Sequence, residues 1–99
     1  MGERVVSISY DAYERGGETH VEFREYNSEA VPEYSTYVYI YTFDRENAAK
    51  LTSFFRKEYE GTLKEMIDAA FEKMGNRFSI YKICKENDIT FTGSHGVIV

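Results

Sequence analysis

Thr36-Tyr37-Val38-Tyr39-Ile40-Tyr41-Thr42-Phe43 is the stretch whose reading decides the fold. All eight side chains are β-branched or aromatic and none is charged, the strongest strand signal in the chain. Read with period two, Val38 and Ile40 point to one face, and Tyr37, Tyr39, Tyr41 and Phe43 to the other. A strand that is apolar on both faces sits inside a sheet, with something covering each side. The residues from Asp44 to Asn87 read as helix and supply one cover. We expect them on the Val38–Ile40 face, with the tyrosine face left open.

Upstream, Val5 to Glu14 and Glu18 to Tyr26 read as a β-hairpin closed by Gly16-Gly17, whose positive φ angles suit a two-residue I′ turn. A two-residue loop sets Arg15 opposite Glu18, Ala12 opposite Val21, Tyr10 opposite Phe23 and Ile8 opposite Glu25. Ile8, Tyr10, Ala12, Val21 and Phe23 then share one face, as a half-buried hairpin requires. The other face is polar and carries Asp11, Tyr13, Glu22 and Tyr26; its Asp11–Glu22 pairing opposes like charges. Asn27 to Ser35, with the chain's one proline, Pro32, is a loop.

Downstream, Asp44 is placed to cap a helix Arg45–Tyr59, in which Ala48, Leu51, Phe55 and Tyr59 recur at spacings of three and four. Gly61 breaks it. Thr62-Leu63-Lys64-Glu65 has the form of a capping box opening a second helix to about Met74, with Gly75 placed to end it. Phe78 to Cys84 alternates like a strand, yet Ile80, Ile83 and Cys84 also fit a short helix capped by Ser79, the reading we prefer. Ile89-Thr90-Phe91-Thr92 reads as a strand, Gly93-Ser94-His95-Gly96 as a turn and Val97-Ile98-Val99 as a last short strand. The expectation is one α+β domain spanning residues 1–99. It has an antiparallel sheet of four to five strands with two to three helices on one face.

Composition bounds the function. With 42% hydrophobic and 29% charged residues in 99, the chain has the make-up of a globular domain. No apolar run approaches the roughly 20 residues that span a bilayer. Met1–Arg4 lacks a signal-peptide core, and the single cysteine, Cys84, fits a reducing compartment, so a cytoplasmic setting is expected. The net charge of −5 disfavours direct nucleic-acid binding. Residues 1–44 hold three basic and nine acidic side chains, net −6, and seven of the nine tyrosines; residues 45–99 are net +1.

Chemistry-bearing patterns are sparse. His20, His95 and Cys84 have no metal-ligand spacing, and no metal or cofactor is expected. Gly93-Ser94-His95-Gly96 sets a serine beside a histidine without the Gly-x-Ser-x-Gly of a nucleophile elbow. No acid pair is singled out for general acid–base work, and no catalytic residue is assigned. The candidate site is instead a recognition surface of Tyr13, Tyr26, Tyr37, Tyr39 and Tyr41, fringed by Asp11, Glu14, Glu22 and Glu33. Tyrosine gives contact area at low entropic cost, and surrounding carboxylates steer a basic partner.

Phe43-Asp44-Arg45-Glu46-Asn47, the helices after it and Ile83-Cys84-Lys85-Glu86-Asn87-Asp88-Ile89-Thr90-Phe91 resemble small bacterial immunity proteins of toxin–immunity pairs. In those a β-rich start leads into helices and a closing strand. The resemblance implies an antitoxin that neutralises a secreted toxin by binding it, and it carries over no site residue; the acidity of residues 1–44 points to a basic toxin such as a nuclease. Two alternatives share the acidity or the tyrosines. One is a phage-type, anti-CRISPR-like inhibitor that mimics DNA; the other is a homodimer that buries the tyrosine face.

Overall fold

The structure, a computed structural model, describes residues 5–29 and 31–98. Strands β1 (Ser7–Arg15) and β2 (Glu18–Tyr26) form the expected hairpin, in the register derived above. Gly16 and Gly17 turn it with φ angles of +61° and +80°. The I′ turn needs that left-handed backbone at both positions, and glycine adopts it without a Cβ penalty. Strand β3 (Thr36–Phe43) pairs antiparallel with β2, and β4 (Thr92–Ile98) pairs antiparallel with β3. The result is a four-stranded antiparallel sheet in the order β1-β2-β3-β4. Helices α1 (Arg45–Arg56), α2 (Leu63–Met74) and α3 (Ile80–Glu86) lie between β3 and β4 in sequence, making the fold α+β.

Local chemistry places the helix ends. The Asp44 carboxylate accepts the Asn47 N–H at 2.8 Å, filling one of the donors a helix start leaves unpaired. Thr62 and Glu65 form a complete capping box at α2. Ser79 caps α3 by accepting the Lys82 N–H at 3.1 Å, which settles residues 80–86 as helix. Below the helices the core gathers Tyr10, Val21 and Phe43 from the sheet with Leu51, Phe55, Met66, Ile67, Ile80 and Cys84.

The orientation of β3 is opposite to the sequence expectation. Val21 pairs with Tyr41 and Phe23 with Tyr39, and paired residues point to the same face. Tyr37, Tyr39, Tyr41 and Phe43 therefore share the helix side with the apolar row of the hairpin. Val38 and Ile40 share the uncovered side with Glu22 and Arg24. The hairpin had already fixed which face of β2 is apolar, and β3 follows its neighbour.

The C-terminal segment also departs from expectation. Residues 92–98 are one continuous strand, so Gly93-Ser94-His95-Gly96 is not a turn. Glycine is needed at 93 for a different reason: the Tyr39 phenol lies over it where a Cβ would stand. Val99, assigned to the closing strand, falls outside the described residues.

Candidate protein-binding surface

The helices pack against β1, β2 and β3 on one side only, and β4 is held by its pairing with β3. Among the described residues no helix or strand packs on the opposite face of the sheet. The registers place on it Asp11, Tyr13 and Arg15 from β1, and Glu18, His20, Glu22, Arg24 and Tyr26 from β2. Val38, Ile40 and Thr42 come from β3, with Thr92, Ser94, Gly96 and Ile98 from β4.

The polar half of this face is wired together. Glu22 lies opposite Asp11, a like-charge pair that would destabilise the hairpin if left bare. Its carboxylate, however, accepts the Tyr13 hydroxyl at 3.3 Å and pairs with Arg24 at 3.2 Å. The Tyr13 ring stacks on His20 at 5.3 Å, and the Arg15 guanidinium stands 5.7 Å above it. His20 Nδ1 is 3.0 Å from the Thr42 hydroxyl. Desolvation, and then the Glu22 charge, raise the Tyr13 hydroxyl above its ordinary pKa. The apolar half is formed by Val38, Ile40 and Ile98. With Glu22, Arg24, Ser94 and Gly96 they line a trough of about 340 Å³. This shape suits a surface laid against it better than an enclosed small molecule.

The nine residues expected to form one recognition surface divide. Asp11, Tyr13, Glu22 and Tyr26 lie together on the uncovered face. Tyr37, Tyr39 and Tyr41 lie on the helix side, as the register of β3 dictates. Tyr41 packs against the core and meets Phe91 at 5.0 Å, while Tyr39 and Tyr37 stack on His95 at 6.5 and 6.2 Å. Glu14 sits at the hairpin end, beside a groove that includes Leu63 and Lys64. Glu33 is exposed in the loop 27–35. That loop is pinned at its neck, where the Asn27 side chain accepts the Tyr34 N–H at 2.7 Å. Ile40 and Ile98 were missed as surface residues, and Val38 lies on the same side of the strand but is buried at 7% exposure. For Ile40 the signal lay in the neighbouring strand, and for Ile98 no local signal existed.

Among the described residues no three His, Cys, Asp or Glu side chains stand close enough to hold a metal ion. Burial pushes the Cys84 thiol up to about 11, away from the thiolate needed for nucleophilic work. Among the described residues no helix is long and apolar enough to cross a membrane. No family model, curated protein or solved structure matches this chain.

Proposed function

We propose that this chain is a non-enzymatic protein-binding domain, most concretely a cytoplasmic immunity protein that neutralises a basic, nuclease-type toxin. The observation that carries the reading is the uncovered sheet face. Ile40 and Ile98 give it apolar area beside the buried Val38, and Tyr13, Tyr26, Asp11, Glu18 and Glu22 give it a polar, largely acidic rim. Apolar centre and polar rim are the anatomy of protein interfaces, and a tyrosine at the border serves both. The resemblance of residues 43–47 and 83–91 to immunity proteins supports the same reading. Arg15 and Arg24 interleave with the acids on this face, which favours a protein ligand over a ladder of charges imitating DNA.

The test is binding of the purified chain to the purified product of the adjacent gene, followed through a salt titration. Association should slow as salt rises, because exposed charges are screened within about 10 Å at 0.1 M. Tyr26→Ala should weaken binding by about 2 kcal/mol or more while leaving the thermal midpoint nearly unchanged, as an interface hot spot does. Glu18→Lys, at the rim, should slow association more than it speeds dissociation. Binding that ignores both substitutions and salt would sink this reading.

A further inference from the structure

The two edges of the sheet are built differently. Along β1, Asp11, Glu14 and Arg15 are charged, and the Ala12 N–H donates to the Asp11 carboxylate at 2.8 Å. Charges and occupied amides are the devices that keep an edge strand from pairing with another chain. Among the described residues strand β4 has none of them. Thr92-Gly93-Ser94-His95-Gly96-Val97-Ile98 contains no Lys, Arg, Asp, Glu or Pro, and every residue of it is exposed. Alternate backbone N–H and C=O groups of an edge strand point outward with no strand to receive them.

We propose that β4 pairs antiparallel with β4 of a second copy of this chain, about a twofold axis at His95, joining the two sheets edge to edge. The sequence of the strand is complementary to itself in that arrangement. It opens with the small Thr92, Gly93 and Ser94 and ends with the large Val97 and Ile98, 45% and 55% exposed. Centring on His95 sets Val97 of one copy against Gly93 of the other, beside the Tyr39 ring that occupies the space over that glycine. Ile98 falls opposite Thr92 by the same register. No charged side chain on β4 meets its own twin, although each chain carries −5 overall. The same operation on β1 would oppose Asp11 to Asp11, which is why the argument selects one edge and not the other. An isologous contact of this kind closes at two copies and does not propagate, because β1 is guarded.

The interface is one strand wide, so the pairing is of the weak, concentration-dependent class. Sedimentation of the whole chain over roughly 1 μM to 1 mM should pass from monomer to dimer. His95→Lys, which opposes two cations across the axis, should weaken the dimer by at least about tenfold. Ser94→Lys adds a charge to the same edge and should act in the same direction, giving an independent reading if the first variant disturbs the Tyr37 and Tyr39 stack. Thermal midpoints at the lowest concentration identify any variant that has merely lost its fold. In hydrogen exchange, the β4 amides that point away from β3 should gain protection as concentration rises. A chain that stays monomeric throughout overturns the proposal. So does a dimer that survives a folded Ser94→Lys but dissociates on Tyr26→Ala, since that contact would run through the sheet face. Failure here leaves the toxin-binding reading standing, because that reading rests on the face and not on the edge.

Discussion

At Phe43, wholly buried, the chain leaves the sheet for α1, and the ring precedes the Asp44 cap while Ala48 lies four positions beyond it. This is the spacing of a hydrophobic staple, in which the residue before the cap packs on the first turn of the helix. Phe43 and Ala48 both belong to the core under the helices. Phe43→Ala should therefore destabilise the protein by about 3–5 kcal/mol, the range for a large aromatic core residue. Ile40→Ala, on the uncovered face, should cost about 1 kcal/mol. Urea midpoints of the two variants check the pair, and the reverse order would contradict the orientation of β3. The staple was also the overlooked signal in the sequence. With Phe43 turned inward, period two carries Tyr41, Tyr39 and Tyr37 to the same side, whereas counting apolar residues on an all-apolar strand cannot tell its faces apart.

Among the elements, those fixed by local chemistry were legible and those fixed by distant contacts were not. The hairpin register followed from two glycines and an alternation, and α1, α2 and α3 from their caps, because each signal acts within a few residues. The glycines of β4 look like a turn when read alone; the reason for Gly93 is Tyr39, far off in sequence. Asn47 was equally silent. Buried at the start of α1, its carbonyl oxygen accepts the Thr90 N–H at 2.8 Å and so ties the helix to the segment leading into β4. The caps carry a pH dependence of defined sign. Backbone hydrogen bonds hold Asp44 and Glu65 below their ordinary carboxylate values, through Asn47 and Thr62 respectively. A depressed folded pKa contributes stability that is present above the unfolded value and lost as pH falls through the folded one. Asp44→Asn keeps an oxygen able to cap, so it should retain stability near neutral pH and flatten part of the decline below about pH 4. Denaturation midpoints followed down the acid limb measure this, and an unchanged decline would show that Asp44 carries none of it.

For the molecule as a whole, one core under one face sets the alkaline limit. Burial raises the hydroxyls of Tyr10 and Tyr41 from 10.0 to about 12. Here the neutral form is favoured in the folded state, so the contribution is full below the unfolded value and is lost as pH rises from about 10 through about 12. An ultraviolet titration should find Tyr10 and Tyr41 ionising late, together with a falling thermal midpoint. Ionisation of both near 10 in the folded protein would contradict the packing. The placement of three helices between β3 and β4 bears on a different matter, the order of events in time. The β1–β3 meander closes through short connections, while β4 reaches β3 only after residues 44–91 have been laid down and gathered in, an intrinsically slower closure. Until then the outer edge of Thr36–Phe43 is bare, and it is an uncharged run of the kind that stacks into cross-β aggregates. Refolding is thus a race between first-order docking of β4 and second-order capture by another chain. The yield on dilution from denaturant should fall as protein concentration rises, the lost material should bind thioflavin T, and a yield independent of concentration would remove β4 from the role of guardian of β3.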